Sequence, residues 1–154
     1  QGCLQALDRY EGPVAASHGN PAGMVTNSST PERFFTDDVI LRLAERGGVI
    51  GMTAYNRFLR GDWTREDGRE EFSVRSVVQH MDYVCQLTGS SACVGLGTDF
   101  DGGLGLEDTP ADLDTVADLQ LIGNELEEYG YSPRDIEAIF SGNWIDFLEK
   151  ALPE

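Results

Sequence analysis

Short apolar runs and helical periodicities alternate along the chain. Continuous runs of small or apolar residues occupy positions 13–17, 49–54 and 93–98, and each has the length of one strand. Uninterrupted apolar runs are typical of strands that are covered on both faces. Between these runs, apolar residues recur at the i, i+3, i+4 spacing of amphipathic helices. The pattern therefore predicts strands separated by helices.

Several of the predicted helices have recognisable ends. Thr36 is suited to the N-cap of a helix with two acids in its first turn, and Gly47 and Gly48 end that helix. Ser73 and Gly89 bound the strongest amphipathic segment, 73–88, in the same way. Further helices are predicted over 2–9, near 114–129, from Ser132 to a break at Gly142, and over the final segment NWIDFLEKAL.

Strands that alternate with helices predict parallel βα units. A chain of 154 residues is long enough for one domain with its own core. The strands begin near 13, 49 and 93, a spacing above the roughly 31 residues per unit of a typical barrel of about 250 residues. A doubly wound sheet also fits this pattern. Polar residues just past the strand ends favour a barrel, whose active sites lie at that face; they are His18, Tyr55, Asp99 and Asp101.

The balance of charges narrows the classes of partner. The chain has 27 acidic residues against 11 lysines and arginines, a formal net charge of −16. A surface of this sign repels nucleic-acid phosphates, so no nucleic-acid partner is expected. No apolar run approaches the ~20 residues that a membrane helix needs, so no membrane association is expected either.

The number and spacing of the cysteines indicate whether they form disulfides or bind a metal. Cys3, Cys85 and Cys93 are an odd number and contain no C-x-x-C spacing. Neither a disulfide framework nor a thiolate zinc site is therefore predicted. We expect reduced thiols in the core, which is consistent with a cytoplasmic location.

Candidate chemistry centres on His18 and Asp99. Barrel geometry would bring them to one mouth, where imidazole nitrogen and carboxylate oxygen suit a divalent metal or a general base. Each also has a structural interpretation, since a single histidine after a strand is often a packing residue and Asp-Gly is often a turn. The DFDG segment suggests a calcium loop, but the count from Asp99 fails at Gly103, Leu104 and Pro110.

Other polar and aromatic residues are interpreted structurally. His80 is expected to be a packing or helix-surface residue, and Asp101 is expected to brace its loop by accepting backbone N–H bonds. Asn143 is expected to cap the final helix. Trp63 and Trp144 are expected to be packing residues rather than substrate platforms.

Five segments together resemble the membrane dipeptidase family (renal dipeptidase, peptidase M19), in particular its bacterial branch. They are ASHGNP, LAERGGVIGM, HMDYVCQL, VGLGTDFDGG and SGNWIDFL. The resemblance covers nearly the whole chain, and GTDFDG is its most specific part. It implies the C-terminal part of a (β/α)8 TIM-type barrel of the metal-dependent hydrolase kind, with strands six to eight. It also implies hydrolysis of dipeptides, often with a D-residue on the C-terminal side, by a hydroxide held between two zinc ions.

The resemblance assigns roles to four residues. His18 corresponds to a zinc ligand, and Asp99 corresponds to the acid that handles the proton. Arg33 corresponds to the arginine that grips the terminal carboxylate of the substrate, a task suited to its planar fork. Tyr55 corresponds to a tyrosine near the substrate pocket. The other zinc ligands of the family have no match here, so one ligand of a two-zinc centre is expected in this chain.

These considerations give one main hypothesis and one alternative. The main hypothesis is a single partial domain, residues 1–154, from the C-terminal half of a metallo-dipeptidase, inactive as a fragment, with a small dipeptide as substrate. Its outer strands would lack neighbours, which allows a homodimer. The alternative is a non-catalytic half-barrel that acts as a binding or structural module.

Overall fold

Three short strands form the centre of the molecule, which a computed structural model describes over residues 2–153. The strands are β1 (Ala16–Gly19), β2 (Ile50–Met52) and β3 (Val94–Leu96). The helices are α1 (Gly2–Arg9), α2 (Asp37–Glu45), α3 (Asn56–Leu59), α4 (Val74–Thr88), α5 (Gln120–Glu128), α6 (Pro133–Glu137) and α7 (Asn143–Ala151).

The strands form one parallel sheet in the order β1-β2-β3. Ile50 of β2 pairs with Ala16 on one side and with Val94 on the other. A Cβ atom at Gly51 would collide with the carbonyl oxygen of Ser17, so the small residue permits close packing around the middle strand. Because all three strands run the same way, their carboxyl ends lie at one edge.

The first strand is displaced from its predicted position. β1 spans 16–19 rather than 13–17, so His18 lies inside the strand and not after it. Pro13 has no N–H to donate to a ladder, and pairing begins where Ala16 N donates to Val49 O at 2.8 Å. The other two strands lie within the apolar runs that predicted them.

Helices α2 and α4 follow the sequence signals closely. α2 begins after Thr36, although this residue contributes its carbonyl, which accepts from Ile40 N at 3.0 Å, and its side chain makes no cap bond. α4 follows Ser73 and ends at Gly89, whose φ of +69° places it in the left-handed region. The predicted segment 73–88 is therefore confirmed as a helix.

The C-terminal segment differs in detail from the prediction. The helix expected near 114–129 starts with a 3-10 turn over Val116–Leu119 before α5. Gly142 does not end the helix as predicted, because Ala138–Gly142 form a π-helical turn that joins α6 to α7. Asn143 consequently lies inside the helix and is not its cap. Its amide donates to Ser91 O at 2.8 Å and to Val94 O at 2.7 Å.

Apolar side chains from the helices cover the strands and form the core. The largest fully buried side chains are Ile40, Ile50, Met52, Met81, Leu113, Ile122, Leu126 and Ile139. None of the helices within residues 2–153 has the length and apolar character to cross a membrane.

The cysteines and tryptophans pack around this core, with one exception. Cys85 and Cys93 are buried, and burial raises the pKa of Cys85 to about 11, but Cys3 is exposed, so its expected place in the core is wrong. Both tryptophans have packing roles as expected. The indole of Trp63 donates to Gly68 O at 2.7 Å, and that of Trp144 donates to Leu96 O at 3.0 Å.

Candidate active site

His18 and Asp99 meet at the carboxyl edge of the sheet. The distance from His18 Nε2 to Asp99 Oδ1 is 3.6 Å, and the two side chains are 37% and 33% exposed. The other ring nitrogen of His18, Nδ1, lies 2.8 Å from Ser17 Oγ. One imidazole nitrogen is thus held by the neighbouring hydroxyl, and the other faces the carboxylate in a partly open position.

The backbone of Asp99 adopts an unusual conformation. Its φ is +62°, in the left-handed region that non-glycine residues adopt infrequently and that aspartate tolerates better than most. The Asp99 carbonyl accepts from Gly102 N at 2.9 Å and closes a tight turn. A Cβ at Gly102 would collide with the Asp99 carboxylate, so this glycine makes room for the acid. Asp101 is exposed, and the turn is closed by Asp99 rather than by the expected Asp101 brace.

The side chain of Arg33 contacts the backbone of His18. It ends a 3-10 turn over Pro31–Arg33, and both terminal nitrogens donate to His18 O at 3.2 Å. Its guanidinium carbon lies 4.6 Å from the centre of the Phe58 ring. A carbonyl and an aromatic face therefore orient the guanidinium, which keeps its charge available for an anionic group.

Tyr55 follows β2 and lines two cavities. A cavity of about 470 Å³ is lined by Tyr55, Arg33 and Phe58, among others. A second cavity of about 820 Å³ is lined by Tyr55 and Trp63, among others. The Tyr55 ring contacts both aromatic neighbours, with centroid distances of 4.9 Å to Phe58 and 6.3 Å to Trp63. Tyr55 and Arg33 thus share one cavity.

An ion pair that the sequence did not reveal joins two loops of the larger cavity. Arg65 Nε and Nη2 donate to the two Asp108 carboxylate oxygens at 2.9 Å and 2.7 Å. Asp108 also accepts from Gly105 N at 3.0 Å. The hydrogen bonds from Arg65 hold the pKa of the Asp108 carboxyl below its usual range. The pair connects the loop after β2 to the loop after β3 across 43 positions, and no local signal marks it.

A buried polar cluster under the strand ends was also not predicted. Asn20, Thr53, Asn56 and His80 are each at most 3% exposed. Burial lowers the pKa of His80 to about 4, so its imidazole is neutral near pH 7. Of the two positions expected for His80, packed or at the helix surface, the structure shows the packed one.

The donors at this edge suit a divalent metal ion but form a partial set. Imidazole nitrogen and carboxylate oxygen are common ligands of such ions, and His18 and Asp99 present one of each. Within residues 2–153, no group of three or more histidine, cysteine, aspartate or glutamate side chains could hold a metal. The described residues thus fit a contribution to a metal site.

Comparison with known sequences identifies related proteins. The model of the membrane dipeptidase family, peptidase family M19, matches residues 1–152. An uncharacterized protein from the pqqA 5′ region of Klebsiella pneumoniae is 30% identical over 137 residues, which are 89% of this chain and 46% of that protein. An uncharacterized dipeptidase of Schizosaccharomyces pombe is 30% identical over 139 residues, covering 90% of this chain and 31% of that protein.

Solved structures share the fold. A metallo peptidase from Rhodobacter sphaeroides, liganded with a phosphinate mimic of the dipeptide L-Ala-D-Ala, superposes with a TM-score of 0.81 at 24% identity, over 98% of this chain and 40% of that one. A metallo peptidase of family M19, dipeptidase AC, gives a TM-score of 0.81 at 25% identity, over 97% and 41%. The chain therefore spans about a third to a half of the length of these relatives. The expected fold class, part of a metal-dependent hydrolase barrel, is confirmed.

Proposed function

The chain belongs to the membrane dipeptidase family, peptidase family M19, and on that basis we propose that it forms part of the active site of a metal-dependent dipeptidase. The observation that carries the proposal is the pairing of His18 and Asp99 at 3.6 Å. Their place at the carboxyl edge of a parallel sheet is where barrel enzymes build their sites. Arg33, bonded to the His18 carbonyl, adds a cation beside them.

The proposed metal is zinc, two ions in the complete site, with His18 as the ligand from this chain. The ring nitrogen Nε2 is the donor, since Nδ1 is engaged with Ser17. Bound zinc would supply Lewis acidity and lower the pKa of a coordinated water towards about 7. This assignment is supported by the donor chemistry and by the family.

Asp99 is proposed as the general base and then the general acid. Its carboxylate accepts the proton of the attacking water and returns it to the leaving amine. The side chain is suited to this because it is one-third exposed and faces His18. In the left-handed turn the carboxylate lies beside Gly102, where a side chain would collide with it.

Arg33 and Tyr55 are proposed to bind the substrate. The guanidinium would hold the terminal carboxylate of a dipeptide through two hydrogen bonds, and the ring of Tyr55 would form the wall of the same cavity. Anchoring this carboxylate places the scissile bond at a set distance and limits the substrate to very short peptides. A dipeptide with a C-terminal D-residue is the proposed preference, supported by the L-Ala-D-Ala mimic that the Rhodobacter sphaeroides relative holds.

The test is hydrolysis of L-Ala-D-Ala and L-Ala-L-Ala by the complete protein, with zinc measured by elemental analysis. We expect turnover that a chelator abolishes. Asp99→Asn should leave the metal content nearly unchanged and lower kcat by at least ~100-fold, the range usual for lost acid–base catalysis. Asp101→Asn, in the same loop and exposed, is the matched control and should stay within about threefold of wild type.

Two results would contradict the proposal in different ways. Near-wild-type turnover by Asp99→Asn would exclude its role in proton transfer. A complete protein that hydrolyses neither dipeptide and binds no metal would favour the non-catalytic module instead.

A further inference from the structure

The buried polar cluster under the strand ends contains more hydrogen-bonding atoms than its members' own contacts use. Among its four members, Asn20 Oδ1, Thr53 Oγ1 and Asn56 Oδ1 are buried without a hydrogen-bond partner in the described structure. An unpaired buried polar group costs about 1–3 kcal/mol. Apolar residues of the same size would avoid this cost, so packing alone does not account for the cluster.

Asn20 connects the segments that carry three of the proposed site residues. Its side-chain Nδ2 donates to Thr53 O at 3.2 Å, and its backbone carbonyl accepts from Phe35 N at 3.0 Å. Asn20 itself is two residues after His18, Phe35 is two residues after Arg33, and Thr53 is two residues before Tyr55. One asparagine thus sets the relative positions of the three backbone segments.

His80 fixes the orientation of this asparagine from the next layer. Its Nδ1 lies 3.3 Å from Asn20 Nδ2. An amide nitrogen only donates, so Nδ1 accepts from Asn20 and the proton of the neutral ring lies on Nε2. A neutral imidazole accepts the bond from Asn20 only in this tautomer. Through His80, α4 therefore supports the side chain of Asn20.

We infer that Asn20 and His80 are positioning residues of the proposed dipeptidase site, holding His18, Arg33 and Tyr55 in register without touching the substrate. This inference rests on the proposed function. Hydrogen bonds are directional, and a displacement of about 1 Å at a catalytic site can cost about 100-fold in rate. The hydrogen bonds of Asn20 and His80 restrict the strand ends in this way, whereas apolar contacts would let them shift.

The variants separate positioning from packing. His80→Leu and Asn20→Leu keep the approximate volume and remove the side-chain hydrogen bonds, whereas the bond from Phe35 N to the Asn20 backbone carbonyl remains in both variants. His80→Gln is the conservative variant, because its amide offers both an acceptor and a donor. Val84→Ala, buried in the same helix, is the matched control for a general loss of stability.

Two measurements on the complete protein test the inference. The first is kcat and KM for L-Ala-D-Ala. The second is hydrogen exchange of the backbone amides in residues 18–22, 33–35 and 53–55, which does not depend on activity. We expect both leucine variants to lower kcat/KM at least ~10-fold and to speed exchange in residues 18–22 and 53–55, with a smaller increase in residues 33–35, whose bond to the Asn20 carbonyl remains. His80→Gln should recover most of both, and Val84→Ala should change neither by more than about twofold.

The outcomes distinguish this inference from the proposed function. Leucine variants that leave kcat/KM and the exchange rates at wild-type values would overturn the inference. So would a loss of kcat/KM in Val84→Ala equal to theirs, or a His80→Gln no better than His80→Leu. An inactive wild-type protein whose leucine variants still loosen the three segments would overturn the dipeptidase proposal and support the positioning role.

Discussion

Asp99 combines a proposed chemical role with a demanding backbone conformation. Its φ of +62° costs a residue with a Cβ about 1–2 kcal/mol, and aspartate and asparagine tolerate it better because their side chains hydrogen-bond locally. Strained backbone of this kind concentrates at functional sites. The conformation therefore agrees with the proposed role and makes asparagine the appropriate test substitution.

The conformation of Asp99 leads to a prediction about stability. Asp99→Ala should lower the free energy of unfolding by about 1 kcal/mol relative to Asp99→Asn, because alanine is disfavoured in the left-handed region. Urea denaturation of the two variants measures the difference. Equal midpoints for the two would show that the turn relaxes to another conformation.

Arg33 should act on binding more than on chemistry. Arg33→Met should raise KM for L-Ala-D-Ala at least ~10-fold, because charged hydrogen bonds contribute about 1.5–3 kcal/mol. The dipeptide amide, which lacks the terminal carboxylate, should be hydrolysed equally by the variant and the wild type. Arg134→Gln, an exposed arginine on α6, is the control. Equal losses for the free dipeptide and its amide would contradict the assignment.

At the scale of elements, the π-helical turn decides how the last helix meets the sheet. The turn continues the helix through Ala138–Gly142, so that Asn143 lies against the β3 segment. There its amide donates to the carbonyls of Ser91 and Val94. β3 leads directly into the turn that contains Asp99. The last helix therefore supports the position of the proposed catalytic acid.

The contact between Asn143 and the β3 segment predicts a measurable contribution to stability. Asn143→Ala should reduce the free energy of unfolding by about 2 kcal/mol, because one buried and one partly buried carbonyl lose their donor. Asn124→Ala on the exposed side of α5 should change it by less than about 0.5 kcal/mol. Chemical denaturation compares the two. If both variants unfold alike, the amide does not hold β3 to the helix.

At the scale of the whole molecule, the buried histidine makes stability depend on pH. His80 has a folded pKa of about 4, below its ordinary value of 6.5. The unfolded chain therefore takes up a proton at a higher pH than the folded one, so stability is complete above about pH 6.5 and is lost as the pH falls towards 4. At pH 4 this difference in pKa lowers the free energy of unfolding by about 3 kcal/mol.

The comparison of wild type with His80→Gln isolates this effect. Between pH 7 and pH 4 the wild type should lose about 3 kcal/mol more than the variant, because glutamine does not titrate. Protonation of carboxylates, including Asp108, lowers the free energy of unfolding in both proteins, so this contribution cancels in the difference. Parallel curves of unfolding free energy against pH would show that His80 is not neutral in the folded protein.

Much of the architecture was predictable because its causes are local. The apolar run at 49–54 and the periodicity over 73–88 correspond to β2 and α4. Strand ends in a parallel sheet share one edge, so the approach of His18 to Asp99 followed from the predicted alternation of strands and helices. The start of β1 was missed because the start of pairing, at Ala16 with Val49, depends on a neighbouring strand.

The supporting contacts of the site could not be predicted, because their partners are distant in sequence. Asn20 meets His80 across 60 positions, and Arg65 meets Asp108 across 43. Neither pair has a spacing, a motif or a hydrophobic period that marks it. The role of Asn143 was predicted wrongly for the same reason, since its acceptors belong to the β3 segment and not to its own helix.

The sequence by itself determined the order of strands and helices, the sign of the surface charge and the chemical types at the strand ends. Periodicity, turn residues and composition act through neighbours along the chain, so they can be recognised without a fold. Only the tertiary structure decided which polar groups meet, which cavity Arg33 and Tyr55 share, and that His80 is neutral. These properties depend on distances and on burial, which arise when segments far apart in sequence pack against one another.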